Sequence, residues 1–407
     1  MILKHIAKWL LPMTVFLVAC DKTEVDIEPP VDDSEEQITD LSEKEMANCY
    51  IVQQTGKFMF KADNQFNLGE NLPVPPVISP VKAELVWQTV PGSVVSVDLT
   101  DKDEEPYVEF EVSKAEGNAL IAVLDKNGDI CWSWHIWMPS EDVMAVKAAS
   151  GYEVMNMNLG ALNNTPGDAA SYGVLYQWGR KDPFPAAATL TGNTTTVSAP
   201  MYDMDGNSVS IQNSDWNSIE NNTLLYSIAH PTVCLSNMAQ YGYSRDWLKS
   251  DFSDDFLWGN ATGKKTCYDP SPAGWRVAPS DVFTHFTMSG GYEWDVNNFN
   301  VWDANGDGLI DLDDYAYGWF FMINEDTPMY FPAAARFDGS YAMLMGSVSG
   351  IWGNYWSCTP SSSMAGGAVG ALAFQVKDQN GHEMISVAPS GVGSRADAYS
   401  IRCIKDK

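Results

Sequence analysis

Between Asp303 and Asp314 the chain reads DANGDGLIDLDD, which offers a hard divalent cation oxygen ligands at regular intervals. A twelve-residue Ca²⁺ loop needs oxygen donors at its first, third and fifth positions, glycine at the sixth, a backbone carbonyl at the seventh and a carboxylate at the twelfth. Those positions are held by Asp303, Asn305, Asp307, Gly308, Leu309 and Asp314, and Asp311 at the ninth can coordinate directly or through water. Ile310 is placed to anchor the loop to a core. There is no second such loop, and residues 292–302 before it lack a helical pattern. The spacing therefore predicts one structural Ca²⁺ site that clips a long loop, not a paired sensor.

Other reactive residues form no catalytic constellation. The five His, at positions 5, 135, 230, 285 and 382, are scattered and make no His-Glu-x-x-His pattern. Gly263-Lys264-Lys265-Thr266 follows Gly259 one residue too closely for a phosphate loop, and Val348 stands where a nucleophile-elbow serine would sit between Gly346 and Gly350. Of seven Cys, Cys20 belongs to a processing signal, and Cys49, Cys131, Cys234, Cys267, Cys358 and Cys403 remain. Six cysteines allow fifteen disulfide pairings, of which Cys49–Cys131 is the only one within the first ninety residues or so of the folded chain. Without a CxxC, thioredoxin-like redox chemistry and zinc ribbons are disfavoured. The expectation is a protein that is not an enzyme.

Cys20 closes a lipoprotein leader. Lys4 and Lys8 supply its basic end, Trp9 to Val18 its apolar run, and Leu17-Val18-Ala19-Cys20 its cleavage box, so residues 1–19 read as a signal peptide. Acyl chains on Cys20 would hold the protein to a membrane, each buried CH₂ contributing about 0.8 kcal/mol. Residues 20–46 read as an acidic disordered tether, with eleven Asp/Glu against two Lys from Asp21 to Met46. The formal charge of −29 and pI near 4.3 exclude nucleic acid as a partner, because phosphates require Lys and Arg.

Two folded regions follow. Across 47–138, Phe58 and Phe60, Val95, Val97 and Leu99, and Val108, Phe110 and Val112 alternate with polar residues, the two-residue period of half-buried strands. Asp125-Lys126-Asn127-Gly128-Asp129 separates two apolar runs as a hairpin turn. Together these predict a β-sandwich, with Trp132, Trp134 and Trp137 packed in its core and not forming a binding stripe. From Pro139 the pattern becomes irregular, and residues 186–224, rich in Thr, Asn and Ser, read as a long surface insertion. The stretch Cys267 to Phe283 looks like a packing nucleus. Its prolines make a turn, Gly274 a reversal and Trp275-Arg276-Val277 a buried strand, and Pro279-Ser280-Asp281 starts a short helix with Val282, Phe283 and Phe286 inward.

DPSPAGWRV at residues 269–277 resembles the hallmark of the Fibrobacter succinogenes major paralogous domain family, found in surface lipoproteins of Gram-negative bacteria. Matching stretches occur in the same order: Asn158 to Ala161, Gly173 to Phe184, Leu257 to Gly259, Phe331 to Ala334, Tyr355 to Ser357 and Arg402 to Asp406. Similar modules opening Ala-Asn-Cys-Tyr, as residues 47–50 do, often precede that domain. The resemblance covers residues 139–407 and implies a loop-rich fold like C-type lectins and formylglycine-generating enzymes, with short strands and two helices. It implies a Cys where this chain has Ser271, partnering Cys403, so that bridge is rewired or lost here. The loop at 303–314 resembles EF-hand and dockerin loops. Neither Glu-Pro-Asn nor Gln-Pro-Asp, the sugar-coordinating tripeptides of C-type lectins, occurs. Glycan recognition by stacking on Trp or Tyr stays open.

The fold class expected is α+β, a β-sandwich at 47–138 followed by a C-type-lectin-like domain at 139–407, with few core contacts crossing residue 139. The function expected is a lipid-anchored binding protein of the outer membrane, surface-exposed and recognising a glycan or protein. An accessory place in a fimbria-like structure is one form of that role. The alternatives are a formylglycine-generating-type enzyme using Cys358 and Cys403, or a structural subunit of a surface assembly.

Overall fold

Phe58 and Phe60 leave one strand on the same side, and that alternation builds the first sheet. The computed structural model describes residues 37–69, 72–193, 195–214, 222–236, 246–249, 255–259, 264–361 and 368–406. The signal peptide and Cys20 lie outside them. The first sheet runs Thr39–Asp40, Gly56–Lys61, Glu105–Val112, Val94–Lys102. Its inward residues Phe58, Phe60, Val108, Phe110 and Val112 are buried, as the two-residue period predicts. Val95 departs from the pattern. A register irregularity between Val94 and Ser96 puts Val94 in the core and leaves Val95 44% exposed, because a bulge reverses the facing of the residues on one side of it.

The second sheet runs Ser208–Val209, Met201–Tyr202, Lys82–Gln88, Gly117–Leu124, Ile130–Met138, Cys49–Ile51. It packs on the first through Phe60, whose ring lies 5.0 Å from Trp134 and 5.0 Å from Tyr50. Trp132, Trp134 and Trp137 are all buried, so the core reading of these tryptophans holds and the stripe reading does not. Every residue of Gly117–Leu124 is buried, which happens only when both faces of a sheet are covered. The second cover comes from beyond residue 139. His135 Nε2 is 2.8 Å from Asn118 Oδ1 and its Nδ1 3.2 Å from the Tyr176 hydroxyl, and Trp137 Nε1 donates to the Ala161 carbonyl at 2.7 Å.

Three expectations are corrected here. One apolar cluster joins Phe58, Phe110 and Trp134 to Tyr176, Trp258, Tyr399 and Cys403, so many core contacts cross residue 139. The chain from Ile38 onward is a single compact unit. The acidic tether does not reach residue 46. Thr39–Asp40 pairs in parallel with Gly56–Lys61, Asp40 accepts from Lys102 Nζ at 2.8 Å, and Glu45 accepts from the Gly274 amide at 2.5 Å. The hydrogen-bonded acids, together with Leu41 and Met46 packed on the core, order what composition alone marks as solvated. The insertion at 186–224 is tied down too, because Met201–Tyr202 pairs with Lys82–Gln88 and Met201 packs on Trp87 and Leu120.

The remaining chain is also mostly strand. A larger sheet runs Phe184–Pro185, Val174–Gln177, Ala398–Ile401, Trp352–Pro360, Ala368–Lys377, Glu383–Ser394. A four-stranded sheet places Trp275–Val277 beside Cys403–Lys405, then Glu153–Met155 and Ala145–Lys147. Helix is scarce among the described residues: one α-helix, Leu224–Ala229, capped by the Thr223 hydroxyl, and several 3₁₀ turns. The architecture is therefore β-rich, and the α part of the expected α+β class is small. Ser280–Phe286 is 3₁₀ without a side-chain cap, though Val282, Phe283 and Phe286 are its buried face as expected. No helix among the described residues is long and apolar enough to cross a membrane.

Candidate functional site

The acidic loop is wound around its own backbone amides. Asp303 Oδ1 accepts from Gly306 N at 2.6 Å and its Oδ2 from Gly308 N at 2.8 Å. Asn305 Oδ1 accepts from Asp307 N and Asp307 Oδ1 from Leu309 N, each at 2.8 Å. Gly306 and Gly308 supply the positive φ, +75° and +85°, that this winding requires. Asp314 closes the loop. It is buried and accepts from Ala304 N at 2.7 Å, Asn305 N at 3.2 Å and Asp311 N at 3.2 Å, while Asp311 accepts from Asp313 N at 2.8 Å. Ile310 packs at the edge of a core cluster with Phe321 and Phe331, so its anchoring role holds. Leu309, at the seventh position, is 63% exposed.

The ligand residues Asp303, Asn305, Asp307, Leu309, Asp311 and Asp314 thus share one turn that carries no Lys or Arg. Each ionised carboxylate has about four lone-pair sites, so amide bonds occupy only part of its capacity. Among the described residues no three His, Cys, Asp or Glu are gathered as a metal cage. The loop itself ends in a 3₁₀ turn, Leu312–Asp314, and lies between the 3₁₀ turn Val296–Asn298 and the strand Gly318–Asn324, not between two α-helices.

The cysteines are thiols, and five of the six are buried. Burial pushes Cys234, Cys267, Cys358 and Cys403 up to about 12 and Cys49 well above its ordinary value. Neutral, enclosed thiols make poor nucleophiles, which removes Cys358 and Cys403 as a reactive pair in a cleft. Cys403 Sγ instead donates to Ser271 Oγ at 3.2 Å. Burial likewise pushes His135 down to about 3, so it stays neutral between its two partners.

A buried charge cluster joins the two regions. Lys181 Nζ donates to Asp182 Oδ1 at 2.7 Å, to the Ser133 carbonyl at 3.0 Å and to Ser133 Oγ at 2.6 Å, and lies 4.6 Å from the Trp132 ring. Burial pulls Lys181 below its usual range and Asp182 opposes that. Such a pair is satisfied but not reactive. It positions the strand Ile130–Met138 against the turn at Arg180 to Asp182.

Among the concave surfaces of the described residues, two differ sharply in lining. A groove of about 730 Å³, lined by Val77, Val81, Ile130, Trp132, Leu225 and Ile228, is apolar. A cleft of about 240 Å³ lies over the strands Trp352–Pro360, Ala368–Lys377 and Glu383–Ser394 and is lined by polar and aromatic side chains. No protein family, curated protein or solved structure matches this chain. Function therefore rests on the residues themselves. The cleft residues Asn354, Gln375 and Ser386 escaped the sequence reading. Their available signal was alternation, polar outward and Tyr355, Leu372 and Phe374 inward, which by itself says only that one face is wet.

Proposed function

We propose that this chain is a lipid-anchored, surface-exposed binding protein of an outer membrane, serving adhesion or ligand recognition. The observation that carries it is Cys20 at the end of a lipoprotein leader, joined by a short acidic run to a β-rich body that begins at Ile38. The arrangement of sheets is read as a β-sandwich followed by a C-type-lectin-like domain of the paralogous-domain family. Support comes from the two facing sheets, built mostly from strands before residue 139, and from the ordered matches after it. Cys20→Ala should fold normally and lose its membrane anchor, since lipid and not a spanning segment holds the protein. Palmitate labelling of intact cells, followed by protease added outside, checks both anchoring and exposure. Wild-type labelling of the variant, or wild-type protein sheltered from protease, overturns the reading.

The same proposal assigns Ca²⁺ to Asp303–Asp314 as a structural ion. If the native loop binds the ion and the unfolded chain does not, stability rises by about 2.7 kcal/mol at a hundredfold excess over Kd. Asp314 already accepts three amides, so truncating it would unfold the loop for reasons unrelated to metal. Asp307→Asn with Asp311→Asn is the cleaner variant, because each carboxylate accepts a single backbone amide, which the Asn oxygen keeps while the charge is lost. Melting in EDTA and in millimolar Ca²⁺ should separate the wild type by several degrees and leave the double variant unchanged. Identical wild-type melts in the two buffers remove the metal.

A further inference from the structure

We propose that the cleft over Trp352–Pro360, Ala368–Lys377 and Glu383–Ser394 binds a single neutral sugar ring. This deepens the recognition reading and rests on it. Strand register puts two rows of side chains on one face. Trp352, Gln375 and Ser386 face one another across the three strands, and Asn354, Ala373 and Ala388 form the next row. The two alanines give the floor its depth, and Tyr292, Arg336 and Tyr399 close the sides. The opposite face of the same strands carries Tyr355, Leu372, Phe374 and Val387 into the core, so the floor is rigid.

Two buried polar atoms of this cleft, Asn354 Oδ1 and Arg336 Nε, are unpartnered. Among the described residues, the side chains of Asn354, Gln375, Ser386 and Tyr292 make no hydrogen bond, and Asn354 Oδ1 is shut from solvent without a partner. Arg336 Nε is unpaired in the same way, although Arg336 Nη1 reaches Asp397 at 3.1 Å and the Tyr399 hydroxyl at 3.3 Å. Unpaired buried polar atoms are rare because each is costly, and where they converge they call for a ligand that donates and accepts at once. Hydroxyl groups on a ring do both.

Charge and size narrow the class. Arg336 is countered by Asp397 and, at 3.5 Å, by Asp338, so among the described residues the cleft offers no uncountered cation to an anionic ligand. The guanidinium lies 5.4 Å from the Trp352 ring, and Tyr292, 48% exposed, offers its ring at the rim beside Trp294, 67% exposed. Aromatic faces beside hydroxyl and amide groups suit the apolar face and polar edge of a pyranose. A volume of about 240 Å³ falls below the roughly 300–1,000 Å³ of sites for drug-sized ligands, which fits one ring. No residue of the acidic loop lines the cleft, so binding is independent of Ca²⁺.

The test is saturation-transfer NMR and titration of the full chain carrying Cys20→Ala, with glucose, galactose, mannose, N-acetylglucosamine and their disaccharides, in EDTA. At least one of these should bind. Asn354→Leu and Gln375→Leu should each weaken it by tenfold or more at an unchanged melting temperature, and Ala388→Val, which fills the floor without removing a partner, should do the same. Sugar binding that survives all three substitutions overturns the cleft assignment and leaves the recognition reading standing. Saturation transfer from none of these sugars, or a requirement for Ca²⁺, overturns the ligand class. Surface exposure is measured separately by the labelling and protease experiment, so failure there strikes the recognition reading and not the cleft.

Discussion

A chain truncated to residues 139–407 should not melt as a cooperative unit. The truncation strips the inner cover from the turn at Arg180 to Asp182. Lys181 would lose both Ser133 acceptors and the Trp132 face, keeping only Asp182 in a site that no longer excludes water. The carbonyls of Cys267 and Asp269 would lose Asn48 Nδ2, which donates to them at 2.7 and 2.9 Å. Gly160 O would lose Asn118 Nδ2, now at 2.8 Å, and Ala161 O would lose Trp137. Met201–Tyr202 would lose Lys82–Gln88 and keep only Ser208–Val209 as a partner. Each of these hydrogen bonds contributes about 0.5–1.5 kcal/mol net, uncovering the shared apolar core costs about 25 cal/mol per Å², and a domain has about 5–15 kcal/mol in total. The sum of these losses consumes that margin. Scanning calorimetry and near-ultraviolet dichroism of the fragment check it, and a sharp, reversible transition in the fragment alone would sink the claim.

Replacing Ser271 by cysteine should create a disulfide to Cys403 and stabilise the protein by up to about 5 kcal/mol. Ser271 Oγ and Cys403 Sγ already meet at 3.2 Å, both side chains are buried, and the residues are 132 apart in sequence. Closing a loop of that length removes much of the unfolded chain's entropy, which sets the size of the effect. Cys49 lies close by, since its strand end bridges to Pro272, and it is the competing thiol to control for. Intact-mass analysis before and after reduction identifies the bridge, and Ser271→Cys with Cys403→Ala is the blank. The gain in melting temperature should vanish in reductant. An oxidised Ser271→Cys variant whose new thiol bridges to any cysteine other than Cys403, or that melts no later than wild type, refutes the geometry.

Much of the first two sheets was legible in the chain because the signals are local. Phe58 and Phe60, and Val108, Phe110 and Val112, show their buried side through a two-residue period that needs no knowledge of the partner. The same holds for the turn at Asp125 to Asp129, where Gly128 takes φ +87°, and for Trp275–Val277, which is extended and half or fully buried as read. In the acidic loop the glycines and side-chain oxygens sit within twelve residues of one another, so its winding could also be read in advance. Val95 failed because a bulge is decided by the neighbouring strand's register, which leaves no mark in the strand itself.

Other features belong to the tertiary structure alone. That Ser133, His135 and Trp137 are as buried as Trp132 and Trp134 follows from a second layer supplied by Ala161, Tyr176 and Lys181. No periodicity within the strand Ile130–Met138 announces a cover on both faces. The ordering of Asp40 and Glu45 depends on Lys102 and on Gly274, so composition misread their surroundings. The sugar cleft is the furthest case. Trp352, Gln375 and Ser386 align only once three strands have chosen their register. Chain-local chemistry determines which side chains a strand shows on each face, but only pairing and packing between distant segments decide what each face meets.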